Sequence, residues 1–406
     1  MRLYSRQPPM QTQSKKKLHG QYYTESAYSS LLVNRLQEDS VSVALELGVG
    51  GGALLSAVSG RWPDARCVSV DIDPQHAQEG SARPVQHIHY CADALTLELD
   101  NVIGLTSGVA DIAVCNPPFI AADWNTSYSV LLNRAGFKVP TKALRVGADL
   151  LFLAQNLWLL KDSGQLGIII PAGIIFGDKN RAVRETLLAN HCITEVIELP
   201  SKAFKNTEVK TFILNLKKNK TTSNTIKLYR CDKDGTIEPS IEISLEEAVN
   251  RMDFSYYEWK ENFPVCNSES GKVLEVLRGG VSTNQARELG IEVFHTTDLK
   301  KQSEPGRILF SDNFSEATRN SDKVVAQLGD IVIPRVGRNI ESGVHIVEGG
   351  KALISDCLYV IRCPGRAPKD LYEALTSREG IAWIKAHTHG ACARFLTKSD
   401  LKQFPL

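Results

Sequence analysis

No run of apolar residues in this 406-residue chain approaches the roughly 18 that a membrane span requires. The segment from Met1 to Lys17 is polar and lacks the apolar centre of a secretory signal. A cytoplasmic protein is the expectation, with no membrane partner. The nine cysteines include no Cys-x-x-Cys pair, which argues against a zinc knuckle and against a disulfide framework. They read as small buried hydrophobes in a reducing compartment. His87/His89 and His387/His389 form two His-x-His pairs without cysteine or carboxylate at ligand spacing, so no metal site is expected. Charge of neither sign dominates: 47 basic against 46 acidic residues leave a net charge of +1. Nucleic-acid binding, if any, has to rest on local basic patches.

Such patches exist. Arg2, Arg6, Lys15, Lys16 and Lys17 crowd the start, and residues 1–19 read as a flexible basic arm with Pro8-Pro9 discouraging a regular element. Arg134, Lys138, Lys142 and Arg145 form a second group, and Lys202, Lys205, Lys210, Lys217, Lys218 and Lys220 a third. Charge runs are usually solvated faces, so by themselves they decide nothing.

The composition, 43% hydrophobic and 23% charged, is that of a globular protein, and the length suits two domains. Apolar spacing predicts a helix over 26–37, then a strand over 42–47 that runs into glycines. A helix over 53–59 and strands over 66–71, 85–90 and 109–115 follow. Beyond them come a helix over 148–160, a strand over 165–170, a helix over 181–190 and strands over 193–199 and 211–216. This alternation predicts an α/β fold with a doubly wound sheet. After Leu216 the pattern turns to short strands broken by Asp234-Gly235 and Pro239, with one late helix over 371–387. The domain boundary is expected near residues 250–264.

The first strand ends in Glu46-Leu47-Gly48-Val49-Gly50-Gly51-Gly52. Glycines there let the backbone approach a ligand without a Cβ clash, in dinucleotide and nucleoside binders alike. The second strand ends in Val70-Asp71-Ile72-Asp73, which puts Asp71 where a carboxylate accepts from ribose hydroxyls; Asp73 reads as a surface acid. Asp93, in Cys91-Ala92-Asp93-Ala94-Leu95, follows the third strand. It is a candidate acceptor for an adenine amino group, with Leu95 or Ile72 against the base, or else a turn or capping residue. Three acids in strand order favour an adenosyl ligand.

The most informative segment is Asp111-Ile112-Ala113-Val114-Cys115-Asn116-Pro117-Pro118-Phe119. A buried strand delivers Asn116 and two prolines of fixed φ to the sheet edge where open α/β sheets bind ligands. An exocyclic amine on a nucleobase is a poor nucleophile because its lone pair is delocalised into the ring. The Asn116 side-chain oxygen and the Pro117 carbonyl can each accept one of its N–H groups and bias the nitrogen toward tetrahedral geometry. Phe119 can stack on the base. The alternative is a plain Asn-Pro-Pro-Phe turn.

With these residues in hand, the chain resembles the gamma group of DNA adenine-N6 methyltransferases, class I methyltransferases that include type I modification subunits and single-chain type II enzymes. The group's amino-terminal Gly-x-Tyr/Phe-Tyr-Thr-Pro motif is similar to Gly20-Gln21-Tyr22-Tyr23-Thr24-Glu25, with Glu25 in place of proline. Glu46 stands where aspartate often opens the glycine loop. The resemblance implies a Rossmann-like domain over 20–250 that binds S-adenosyl-L-methionine through Tyr23, Thr24, Glu46, Gly48, Gly50, Asp71, Ile72, Asp93, Ala94 and Asn116. Its implied catalytic residues are Asn116, Pro117, Pro118 and Phe119. Ala203-Phe204-Lys205-Asn206-Thr207 resembles the segment whose aromatic faces the catalytic-loop aromatic across a flipped adenine, which would make Phe204 the partner of Phe119; otherwise Phe204 is a core residue.

Residues 251–406 resemble an α+β target-recognition domain of type I specificity subunits, through Met252-Asp253-Phe254-Ser255-Tyr256-Tyr257 and Gly329-Asp330-Ile331-Val332-Ile333-Pro334-Arg335-Val336-Gly337. The resemblance implies double-stranded DNA as substrate, base flipping, and a separate restriction endonuclease or specificity subunit as partner. Arg134, Lys138, Lys142, Lys202 and Lys205 become candidate phosphate contacts, and Arg335 and Arg338 candidate guanine or phosphate contacts. The competing readings are an amino-group methyltransferase for ribosomal RNA guanine or a protein glutamine, and a DNA-binding specificity module with an inactive methyltransferase half.

Overall fold

The structure is a computed structural model that describes residues 24–77, 86–138, 144–200, 203–204, 209–221, 224–263, 274–310, 323–389 and 394–405. The chain forms two compact units that divide between Phe254 and Ser255. Among the described residues no helix is long and apolar enough to cross a membrane.

The first unit opens with helix α1 (Ser26–Asn34), strand β1 (Val43–Leu47), helix α2 (Ala53–Arg61) and strands β2 (Arg66–Asp71) and β3 (His87–Cys91). Helix α3 (Leu99–Ile103), strands β4 (Ala110–Cys115) and β5 (Ala121–Asp123), helix α4 (Thr126–Arg134), strand β6 (Arg145–Gly147) and helix α5 (Ala148–Leu159) follow. Strands β7 (Leu160–Pro171), β8 (Cys192–Glu198), β9 (Thr211–Lys217), β10 (Thr225–Arg230) and β11 (Ile241–Ser244) complete it, with helices α6 (Ala172–Phe176) and α7 (Arg181–Asn190) between β7 and β8. The strand and helix limits lie within a few residues of those read from hydrophobic spacing. The exception is β7, which starts five residues earlier than the sequence pattern suggests.

Nine of these strands make one sheet in the order β11-β10-β8-β9-β7-β4-β1-β2-β3. Strands β3, β2, β1, β4 and β7 run parallel. Ala44, Leu45 and Leu47 of β1 and Ile112 to Cys115 of β4 are fully buried, as central parallel strands covered on both faces require. From β1 the chain winds to β2 and β3 on one side, then returns to β4 on the other. The carboxyl ends of β1 and β4 therefore flank the switch point of a doubly wound sheet. Strand β9 inserts antiparallel between β7 and β8.

Helices α3, α4 and α6 and strands β5 and β6 escaped the hydrophobic pattern. Helix α4 is short and carries few buried residues, and its start is set by Asn125, whose side chain accepts from the Ser127 N–H at 3.1 Å. Strands β5 and β6 pair over only three residues each.

The second unit holds a five-stranded sheet ordered 275–278, 358–362, 331–334, 345–349 and 307–309. Alternate residues face opposite cores: Ile331 and Ile333 join Trp383 and Leu371, whereas Val332 and Val360 join Ile308 and Phe310. The expected single helix over 371–387 is two, Pro368–Thr376 and Arg378–His387. Ser377, extended at ψ 165°, breaks the run and caps the second helix by accepting from the Gly380 N–H. Helix Phe254–Asn262 was also unforeseen; its aromatic residues lack a clear helical stripe.

Candidate active site

The loop after β1 is built on positive φ at Gly48 (74°), Gly50 (49°) and Gly52 (75°), a conformation that side-chain-bearing residues resist. Gly48 donates to the Val70 carbonyl at 2.8 Å, which ties the loop to β2. At the end of β2 the buried Asp71 accepts the Gly50 N–H through Oδ2 and the Asp73 N–H through Oδ1, each at 2.9 Å. His76 Nδ1 lies 3.1 Å from Asp71 Oδ2. One carboxylate thus fixes the glycine loop and keeps lone pairs for a ligand. Asp73 instead accepts from the Gln75 N–H at 3.0 Å, as a surface turn residue.

A cavity of about 240 Å³ opens on this loop, lined by Gly48, Gly50, Asp71, Ile72, Asp93 and Asn116 among others. Ile72 is 54% exposed, an apolar surface presented at the cavity wall. Asp93 accepts the Leu95 N–H at 2.9 Å, so it shapes a turn and lines the cavity at once. Ala94 and Leu95 complete that wall. Tyr128 of α4 and Phe152 of α5 are lining residues that sequence reasoning missed. Burial and the Asp93 carboxylate raise the Tyr128 hydroxyl above its usual range. Phe152 Cε1 sits 3.4 Å from where a Gly48 Cβ would be, so the glycine admits the ring. No spacing signal in the sequence marks Tyr128 or Phe152.

A second lobe, also about 240 Å³, is lined by Thr24, Glu46, Gly48, Val49, Gly50, Gly51, Ala53, Leu54 and Asn116. Glu46 is 2% exposed, and its Oε2 is buried with no hydrogen-bond partner. Burial drives its carboxyl well above the usual carboxylate range, and Asp71 adds to the rise. Gly48, Gly50 and Asn116 line both lobes.

Asn116 follows β4 directly, held by a strand whose Cys115 Sγ donates to the Leu47 carbonyl at 3.1 Å. Its Nδ2 donates to Thr24 Oγ1 at 3.0 Å. Pro118 lines the first lobe and its carbonyl accepts from the Ile120 N–H at 2.9 Å; Pro117 is buried. The expected open slot between Phe119 and Phe204 is corrected by the geometry. The two rings touch edge to face, centroids 5.8 Å apart and planes at 82°, which leaves no space for a base between them. Phe204 is 1% exposed and packs in the core with Tyr28 and Ala203, because two apolar rings with nothing between them close on each other.

Arg134 is a second correction. It lies at the carboxyl end of α4, donates to the Leu97 carbonyl at 2.7 Å and stacks 4.9 Å over the Trp158 ring. Trp158 precedes the start of β7, whose Leu160 pairs with Ala110 at the beginning of β4. Arg134 therefore sits at the sheet edge opposite Asn116. Lys138 follows on the same side, two residues after Gly136, whose absent Cβ would lie 3.2 Å from Asn190 Nδ2 at the end of α7. Tyr23, Lys142, Lys202 and Lys205 lie outside the described residues. In the second unit Arg335 Nε donates to the Asp356 carbonyl at 2.7 Å, and the Arg338 carbonyl accepts from Arg394 at 3.4 Å.

The His-x-His pairs are built into packing. His87 and His89 both meet Ser69 Oγ, at 2.7 and 2.9 Å. His387 stacks on Trp383 with centroids 4.0 Å apart, and His389 pairs with Asp400 at 2.9 Å. Among the described residues no group of three His, Cys, Asp or Glu side chains is placed to hold a metal.

The switch-point glycine loop, the acids that close β1 and β2, and the asparagine after β4 give the first unit a Rossmann-like fold with a ligand cleft at its switch point. Residues 82–273 match the family N-6 DNA Methylase. Over 230 residues the chain is 27% identical to the methylase subunit of the type I restriction enzyme MpnII from Mycoplasma pneumoniae, covering 52% of this chain and 42% of that relative. In fold it is similar to the type IIG restriction endonuclease BpuSI, at 15% identity and a TM-score of 0.51, covering 93% of this chain and 57% of the other. The methyltransferase subunit of a type I restriction-modification system from Streptococcus thermophilus matches 56% of this chain and 51% of its own, at 21% identity and a TM-score of 0.44. The chain thus spans only about half the length of these relatives. The match to the N-6 DNA Methylase family covers 192 of the 406 residues, and the curated relative is a methylase subunit of a type I restriction enzyme.

Proposed function

We propose that this protein transfers the methyl group of S-adenosyl-L-methionine to N6 of a flipped-out adenine in double-stranded DNA, as the modification component of a restriction-modification system. The observation that carries the proposal is Asn116, which lines both lobes of the cavity at the end of β4.

The residues present fit the cofactor. In the first lobe Asp71 would hold the ribose hydroxyls, Ile72 and Ala94 the faces of the adenine, and Asp93 its amino group. In the second, the buried and unpartnered Glu46 Oε2 would accept from the ammonium of the methionine moiety, and the glycine backbone leaves room for its chain. When bound, S-adenosyl-L-methionine supplies an electrophilic methyl on a positively charged sulfur, which leaves as a neutral thioether as the new N–C bond forms. Asn116 and the backbone of the proline loop hold the target nitrogen by accepting its N–H groups, so that its lone pair turns from the ring toward the methyl. The nitrogen then gives up one proton to solvent, and no strong base is needed.

Base flipping costs a few kcal/mol and is eased by aromatic stacking in the pocket. Phe119, half-buried beside Pro118, is the ring available for that. The second unit would read the target sequence, with Arg335 and Arg338 as candidate DNA contacts, and a restriction or specificity subunit is the partner to expect. The test incubates the purified protein with isotopically labelled cofactor and DNA, followed by mass spectrometry of the nucleosides. N6-methyladenine from the native protein and none from Asn116→Ala supports the reading. Label in cytosine or in protein, or retained transfer by Asn116→Ala, overturns it.

A further inference from the structure

Arg134 belongs to a second cleft, at the edge of the sheet away from Asn116. Its volume is about 630 Å³, and it shares no lining residue with either lobe of the candidate active site. Helices α4 and α5 run between the two places. Tyr128 and Phe152 line the first lobe from the earlier part of each helix, and Arg134 and Trp158 line the cleft from the last residues of each. The chain that leaves β9 closes the other side through Lys218 and Lys220.

The charges in this cleft are of one sign. Arg134, Lys218 and Lys220 line it, and no carboxylate stands among its described lining residues. None of the three has an ion-pair partner among the described residues. Arg134 donates instead to the Leu97 carbonyl and Lys218 to the Leu160 carbonyl, at 2.7 Å each. Burial lowers the Lys218 ammonium from its ordinary value, against the pull of Asp162. His191, which accepts from the Asn219 N–H at 3.2 Å, adds no charge: burial and the Lys218 ammonium hold its pKa at about 4. The carboxyl ends of α4 and α7 also reach the cleft, each equivalent to about half a negative charge. Three full positive charges outweigh the two helix ends, and an excess of about two remains.

Ammonium, guanidinium and indole N–H groups can only donate, so the polarity of the cleft does not depend on how a side chain is turned. Trp158 Nε1 is buried without a hydrogen-bond partner, and the Arg134 guanidinium lies 4.9 Å over the same ring. A buried donor left unpaired costs about 1–3 kcal/mol. A ligand that suits these groups carries more than one negative charge and several acceptor oxygens. A phosphate monoester has both, with about 1.5 to 2 negative charges near neutral pH, whereas a carboxylate has one. The cleft is larger than a phosphate alone and falls within the roughly 300–1,000 Å³ of small-molecule sites. Arg134 and the half-buried Lys218 are tied back to backbone carbonyls in its walls, an arrangement that suits a ligand entering the cleft better than a duplex lying across it.

We propose that this cleft binds a phosphate ester of nucleotide size, at a site separate from the cofactor lobes. Such binding is independent of the methyl transfer proposed above, and its test needs no transfer assay.

Isothermal titration of the full chain with uridine monophosphate and with inorganic pyrophosphate measures it. A uridine ester avoids the lobes read as taking adenosine. At least one of the two should bind saturably at one site per chain, and uridine should not bind. No saturable binding of either up to about 5 mM overturns the proposal. Lys218→Met and Lys220→Met each remove one charged donor and should raise Kd about 10-fold. Lys220 is exposed and makes no hydrogen bond among the described residues, so its variant should melt as the native protein does. Lys227→Met, at an exposed lysine of β10 outside the cleft, should stay within about twofold of native. Equal weakening by all three would mean diffuse attraction to surface charge and would overturn the site. The indole N–H resonance of Trp158, assigned by its loss in Trp158→Phe, should move as the bound ester is added. An unmoved resonance at saturation puts the ligand elsewhere. Displacement of the ester by a DNA duplex, with weaker DNA binding in both cleft variants, would make the cleft a contact for backbone phosphate and end the small-ligand proposal.

Discussion

The rings of Phe119 and Phe204 meet edge to face, 5.8 Å between centroids, with Phe119 three residues after Asn116. An adenine cannot lie between rings in that arrangement. Phe204 is 1% exposed and belongs to the core, whereas Phe119 is half-buried on the loop after β4. The two residues should therefore respond differently to substitution. Phe204→Ala should cost about 3–5 kcal/mol of stability, as other buried Phe-to-Ala changes do. Phe204→Leu should keep the fold and most of the transfer. Phe119→Ala should leave the melting temperature near native and lower kcat/KM for DNA about 10- to 100-fold, through the loss of stacking on the base. Thermal melts and steady-state assays of the three variants check this. A Phe204→Leu protein that is stable yet inactive would show that Phe204 itself stacks on the base.

Asp71 is both a loop tie and a candidate ribose acceptor. In Asp71→Ala the Gly50 N–H loses its acceptor and the ligand loses a charged one. At about 1–3 kcal/mol for hydrogen bonds to a charged group, cofactor Kd should rise about 10- to 100-fold. Asp71→Asn keeps one acceptor oxygen and should fall between the two. Isothermal titration of all three proteins with the cofactor measures this, while DNA affinity should be little changed.

Glu46 gives a pH signature. Burial holds its carboxyl protonated in the folded protein well above its ordinary value of 4.5. The unfolded chain releases that proton first and binds fewer protons, so stability falls as pH rises above about 4.5 until the folded group also ionises. Glu46→Gln cannot ionise, so the stability gap between variant and native protein should move in favour of the variant with rising pH. Denaturant unfolding of both proteins between pH 5 and 8 reads the gap. Parallel profiles would mean the carboxyl is already ionised when folded. If Glu46 accepts the ammonium of the cofactor it has to shed its proton. Cofactor affinity should then climb with pH in the native protein and stay flat in Glu46→Gln.

Arg134 and Lys138 sit at the far edge of the sheet from Asn116. Each phosphate neutralised by a basic residue adds about 0.9 to the slope of log affinity against log salt. Replacing both with alanine should leave that slope unchanged. A shallower slope would mean that DNA also reaches the opposite edge.

The residues around the cavity were legible in the sequence because most of them stand at or just beyond strand ends, three of those strands buried and β3 a half-exposed edge strand. The glycines end β1, Asp71 ends β2, Asp93 follows β3 and Asn116 follows β4, so hydrophobic runs and strand order placed them without coordinates. Tyr128 and Phe152 reach the same cavity from helices, and a helical residue's facing depends on how the helix docks. Arg134 misled because closeness in sequence to the Asn-Pro-Pro-Phe loop suggested closeness in space. Helix α4, about 13 Å long for its nine residues, carried it away from the rim. Phe204 was found as a neighbour of Phe119, but sequence could not tell a gap from a contact. The helix break at Ser377 was hidden because apolar spacing continues through it.

The antiparallel insertion of β9 between β7 and β8 has a consequence for how the rim beside Asn116 can vary. Strand β8 ends and β9 begins on the edge that holds Asn116, so Leu199 and Lys210 stand at one rim of the sheet. A longer or shorter connection between those two ends would change that rim while the register of both strands stayed intact. The fold thus separates a part that must stay constant, the strands and their glycine turn, from a border whose length can drift freely.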